Sequence, residues 1–197
     1  MPGWAVGSAA LASPILVGGW TLAAARQPAG YDSVRDTISA LAGNGATDRW
    51  VMTSALAGLG ACHIATAFGL LSARTAGRAV LAGGGVATLF VAGIPLPAEG
   101  NSRAHAIAAG TSFLALGAWP VFAFRRSTPN ALLRVDASIA ATGVLLGLVA
   151  WFVVETRSTR SGLAERAAAG AQALWPFVVV VAGRLAARRC PPGRDES

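Results

Sequence analysis

Six runs of apolar residues, each close to twenty long, decide what this chain can fold into. They cover residues 4–25, 50–72, 79–97, 104–124, 132–154 and 167–185. An α-helix rises about 1.5 Å per residue, so each run can cross the ~30 Å hydrocarbon layer of a bilayer. No water bonds the backbone inside that layer, and a helix is the form in which one segment satisfies its own N–H and C=O groups. Composition agrees, since 54% of the 197 residues are apolar and 13% charged, about half the charge of a soluble domain. The expected fold is therefore all-α, a polytopic membrane protein. Residues 1–190 form a single domain, a bundle of six transmembrane helices, and residues 191–197 a short cytoplasmic tail. A disordered chain, a secreted disulfide scaffold and a soluble α/β enzyme are excluded. The first run lacks the positive n-region of a cleavable signal peptide and reads as a retained span.

All 16 basic residues are arginine, against 9 acidic residues, for a net charge of +7. They are scattered through short connections, where they set orientation and form no nucleic-acid face. The second and fourth connections and the tail carry nine arginines; the first, third and fifth carry seven, with most of the acidic residues. That bias predicts a cell-membrane protein with both termini in the cytoplasm and the acidic connections outside. Exclusive arginine with abundant alanine and glycine suits a high-GC bacterial genome. Trp4, Trp50, Trp151 and Trp175 lie near run ends, as in an interfacial belt. Small residues, including Gly83-Gly84-Gly85 and the pair Gly143 and Gly147, predict close helix approach. Pro14, Pro95, Pro120 and Pro176 are tolerable where neighbouring helices resatisfy the freed carbonyls.

The unusual residues collect in the three outer connections. The first, 31–45, carries Tyr31, Asp32, Arg35 and Asp36 around an apolar stretch, 37–42. Asp36 reads as its N-cap and Gly43 as its stop, which predicts a short ordered helix with Ile38 and Leu41 turned inward. The third, 93–105, holds Glu99, Arg103 and His105, and the fifth holds Glu155 and the run Gly162-Leu163-Ala164-Glu165-Arg166. All three converge at one end of the bundle. The candidate site there is Tyr31, Asp36, Ser39, Glu99, Arg103, His105, Glu165 and Arg166.

On these residues the chain resembles a bacterial and archaeal family of six-span membrane proteins, domain of unknown function 998. Tyr31 with Asp36-Thr37-Ile38-Ser39-Ala40-Leu41-Ala42, the glycine and proline break before Glu99 and His105, and Gly162 to Arg166 leading to Trp175 carry the likeness. The family pattern has Glu and Gly where this chain has Ala40 and Ala42. The resemblance implies the six-span topology and supplies no activity.

His63 lies about 20 Å below the outer surface, at 1.5 Å per residue from Trp50, whereas His105 is at the outer start of its helix. One haem iron cannot reach both, so His63 reads as a buried residue bonded to a neighbouring helix. No metal or other cofactor is expected. Ser39, His105 and Asp36 or Glu99 are the residue types of a hydrolytic triad, without a Gly-x-Ser-x-Gly elbow. A proton-initiated cyclase would use a buried acid (Glu99, Glu155 or Glu165) below aromatic walls (Trp151, Trp175). Asp136 reads as a carboxylate favoured by a helix N-terminus, and Arg184 as a snorkelling residue. The plainest role for the outer cluster is to lock helix ends by hydrogen bonds and ion pairs. The functional expectation is an outward-facing polar pocket that binds a lipid or isoprenoid-like amphiphile. An intramembrane hydrolase or cyclase and a structural partner in a membrane complex are the alternatives, and no motif assigns an activity.

Overall fold

A computed structural model describes residues 1–189; the expected tail and Cys190 lie outside the described residues. Among these residues the elements are helices α1 (Gly3–Ala24), α2 (Ile38–Leu41), α3 (Trp50–Gly69), α4 (Thr75–Gly93), α5 (Arg103–Ala123), a 3-10 turn (Ala131–Leu133), α6 (Val135–Glu155) and α7 (Ser161–Arg189). All but α2 are long and apolar enough to span a bilayer, six in number. The chain is thus an all-α, multi-pass membrane protein.

Each span packs on the next along the chain, and α7 returns to pack on α1, which closes the ring. α7 also touches α3 and α5. Apolar side chains such as Leu11, Phe90, Ile107, Ile139 and Val154 stay exposed on the outside of the bundle, the surface that hydrocarbon covers. Backbones approach closely where α3 crosses α4. A Cβ on Gly60 would sit 2.7 Å from the Gly85 carbonyl oxygen, and one on Gly85 would sit 2.7 Å from that of Gly60. The pair Gly143 and Gly147 makes no such approach and faces open space, contrary to expectation. Small-residue spacing marks a stripe on a helix and leaves open which way that stripe turns. Two hydroxyl pairs, Ser8 with Thr66 at 2.9 Å and Thr88 with Ser112 at 2.7 Å, join helices inside the bundle, each worth about 0.6 kcal/mol.

Two helices start four or more residues earlier than their apolar runs. α4 begins at Thr75, four residues before position 79, because Arg78 serves the fold: its Nε and an Nη donate to the Ala67 and Phe68 carbonyls at 2.8 Å each. A cation at the C-terminus of α3 supplies donors that its last carbonyls lack. α7 begins at Ser161, six residues before position 167, because its polar first turns bond to the first connection. Pro14, Pro120 and Pro176 lie inside helices. Beside Pro120, the Val121 N–H donates to Thr142 Oγ1 of α6 at 3.1 Å. Pro95 lies outside, just past the end of α4. His63 is buried on α3, but its Nε2 finds no hydrogen-bond partner. Opposite it stands Gly85, which has no side chain to offer.

Candidate functional site

The first connection folds over the end of the bundle, and α7 holds it there. Asp32 organises the turn, its Oδ1 accepting from Val34 N at 2.8 Å and its carbonyl from Arg35 N at 3.0 Å. The Asp36 carboxylate accepts from Asp32 N at 2.8 Å, and the cap of α2 is Thr37, whose Oγ1 accepts from Ala40 N at 3.1 Å. The expected cap thus moves by one residue, since Asp36 is occupied with the turn behind it. Ile38 and Leu41 are buried as expected.

Every residue of the run 162–166 has a task in this docking. Gly162 lies under the loop so closely that a Cβ would be 2.3 Å from the Asp36 carbonyl oxygen. Leu163 N donates to Val34 O at 3.0 Å, and Ser161 Oγ just before the run donates to Arg35 O at 2.6 Å. Ala164 is fully buried. The Glu165 carboxylate accepts from the Ile38 N–H, from Ser39 N at 3.4 Å and from Ser39 Oγ at 2.8 Å. It serves as a cap for α2 delivered from another helix. The Arg166 guanidinium donates to the carbonyls of Ser33 and Asp36, both at 2.7 Å, and to the Tyr31 hydroxyl at 2.6 Å, and it lies 6.0 Å from the Trp20 ring.

The third connection completes the rim. Asn44 N donates to Leu96 O at 2.8 Å, and Ser102 caps α5 by accepting from His105 N at 3.2 Å. His105 is buried, with Nδ1 2.7 Å from the Ile94 carbonyl oxygen. A carbonyl only accepts, so Nδ1 carries the hydrogen and Nε2 of the neutral ring carries the lone pair. That Nε2 is buried and unpartnered.

Two spaces meet at Glu165 and Ser39. One is a cavity of about 50 Å³ in the centre of the bundle, bordered by Leu16, Leu59, Thr88, Ser112 and Gln172 from five of the spans. It has room for a few waters and no more. The other is a groove of about 540 Å³ between the halves of α5 and α6 nearest the first connection. Its walls are apolar, with Phe113, Leu114, Val149, Phe152 and Val153 on them, and its other end is polar, with Thr37, Ser39, Asn101, His105 and Glu165. Phe113 and Phe152 face one another with ring centroids 5.4 Å apart.

The eight candidate residues thus fall into three groups. Ser39, His105 and Glu165 border the groove. Tyr31, Asp36 and Arg166 hold the loop in place. Glu99 and Arg103 are exposed and border neither space. The triad of Ser39, His105 and Asp36 or Glu99 is not assembled: Ser39 donates to Glu165, and His105 bonds to the Ile94 carbonyl. Of the cyclase candidates, Glu155 is bonded to Trp151 Nε1 at 3.3 Å and to Ser158 Oγ. The aromatic walls beside Glu165 are Phe113 and Phe152, where Trp151 and Trp175 were expected. Sequence reading passed over Thr37, Asn101 and both phenylalanines. It also passed over Gln172, although a glutamine inside an apolar run is itself a signal; its Nε2 donates to Phe113 O at 2.8 Å.

A closed ring of six spans, with its first loop latched onto the last helix above a lateral groove, defines a class of small helical membrane proteins. The chain belongs to the family described as Protein of unknown function (DUF998), whose sequence profile matches residues 10–182. No curated protein and no solved structure matches it significantly.

Proposed function

We propose that this protein binds a lipid or isoprenoid-like amphiphile in the α5–α6 groove, tail against Phe113 and Phe152 and head beside Ser39, His105 and Glu165. The observation that carries this reading is the groove itself, about 540 Å³ with apolar walls and one polar end, within the size range of small-molecule sites. The central cavity, about 50 Å³, is too small for the same role. The arginine bias supports a cell-membrane location with both termini in the cytoplasm, which opens the groove to the outer leaflet.

Mass spectrometry of amphiphiles that co-purify with detergent-extracted protein tests the binding. Gly110 borders the groove and has open space where its Cβ would be, so Gly110→Trp is chosen to add bulk at the groove. The wild type is expected to carry an enriched amphiphile, which Gly110→Trp loses and His105→Ala exchanges for another. Identical profiles in all three proteins would overturn the reading. The bond from Ser39 Oγ to Glu165, at 2.8 Å on the groove wall, supports a second reading, an enzyme acting on the bound amphiphile. In that case substrate accumulates in membranes of Ser39→Ala.

A further inference from the structure

We infer that the groove selects an amphiphile whose head donates hydrogen bonds and carries no negative charge, an alcohol in preference to a phosphate ester. This inference rests on the groove being a binding site and adds which head it takes.

The argument is a count of donors against acceptors at the polar end. Glu165 is 3% exposed, and it borders the groove. Ser39 Oγ occupies part of its Oε1, whose remaining lone-pair direction is available to another donor. His105 is 4% exposed, also borders the groove, and holds a lone pair on an unpartnered Nε2. Both groups can take a hydrogen bond, and a buried acceptor without a donor is costly. The charge of Arg166 acts on Glu165 through space, but no guanidinium lines the groove. Arg166 follows Glu165 in sequence, yet its guanidinium is turned onto Ser33, Asp36, Tyr31 and Trp20, on the side of α1 and the first connection. No arginine borders the groove, and Arg103, on the first turn of α5, is exposed outside it. Among the described residues the ion pair is Arg26 with Asp48, outside this site.

A phosphate head would therefore bring acceptors to acceptors, and negative charge to a carboxylate away from water, where repulsion is least screened. A hydroxyl head donates to the carboxylate or to Nε2 and accepts from Thr37 Oγ1 or the Asn101 amide, which border the same end. Burial of the tail along the phenylalanines is the same for both heads, so the head alone decides between them.

Farnesol and farnesyl monophosphate share one tail and differ in this respect. Their binding is measured by titration into the purified full-length protein in nanodiscs of uncharged lipid. The wild type is expected to bind farnesol saturably, at least about tenfold more tightly than the phosphate, the factor a single buried hydrogen bond supplies. In Glu165→Gln, which keeps an acceptor oxygen for α2, the gap is expected to close because the phosphate binds better. In His105→Phe, farnesol is expected to weaken while the phosphate is unchanged. Wild-type protein that binds the phosphate as tightly as farnesol, or more tightly, overturns the inference about the head and leaves the groove standing as a site. Saturable binding of neither probe overturns the groove as a site, and the selectivity with it.

Discussion

Adding one methyl group at Gly162 tests whether the first connection is held to α7 as described. In an unhindered helix the change from glycine to alanine stabilises by about 1 kcal/mol. Here the new Cβ would lie 2.3 Å from the Asp36 carbonyl oxygen and 2.7 Å from that of Ser33, against an unstrained separation of about 3.5 Å. The loop backbone has to rise by roughly 1 Å. Four of the hydrogen bonds between the connection and α7 lie beside this contact: Ser161 Oγ to Arg35, Leu163 N to Val34, and Arg166 to Ser33 and Asp36, at 2.6 to 3.0 Å. That rise stretches all four past a useful length. At about 1 kcal/mol each the loss is about 4 kcal/mol, and the helix gain of about 1 leaves a net destabilisation of roughly 3 kcal/mol. Unfolding of purified Gly162→Ala by titration with a denaturing detergent reads the total, and amide hydrogen exchange over residues 33–39 locates it. Gly143→Ala is the control, since its Cβ meets nothing within 4 Å. Gly162→Ala with wild-type stability and unchanged loop protection would refute the close docking of loop on helix.

Glu165→Ala leaves the buried Ile38 N–H without its acceptor and is expected to cost roughly 2 to 4 kcal/mol, with Glu165→Gln costing about half as much because one oxygen remains; equal losses in the same unfolding titration would show that the cap contributes nothing. Gly85→Ala pushes a methyl to 2.7 Å from the Gly60 carbonyl oxygen, and a loss of about 1 to 3 kcal/mol is expected from such overpacking, against none if α3 and α4 are loosely apposed. Reporter fusions at Asn44 and Ser197 are expected to sit on opposite sides of the membrane with the Ser197 fusion in the cytoplasm, and the reverse result would put the groove in the inner leaflet.

What could be read from the sequence follows from what hydropathy and caps record. Six apolar runs became six spans, and the stretch 37–42 became a short helix with Ile38 and Leu41 buried. Helix starts were misplaced where a polar side chain bonds to another segment. Arg78 stands just before an apolar run but caps the helix before it, and Glu165 and Arg166 look like loop residues but bond the first connection. The motif around Ile38 and Ser39 and the run 162–166 were each visible, but their pairing was not. It depends on one carboxylate reaching N–H groups 127 residues earlier in the chain, and no local pattern encodes such a distance. Glu99 and Arg103 share a connection with His105, yet only His105 lies on the helical face that turns inward.

The cap that Glu165 provides for α2 also sets an order of events during synthesis. Ile38 leaves the ribosome 127 residues ahead of its acceptor, an interval of about 6 to 25 seconds at ordinary rates of about 5 to 20 residues per second. Throughout that time α2 is four residues of helix with no carboxylate at its start, too short to persist alone. The groove therefore lacks its carboxylate until the last span is in the membrane, and a nascent chain stopped before α7 leaves the Ile38 N–H and the Ser39 hydroxyl without their acceptor.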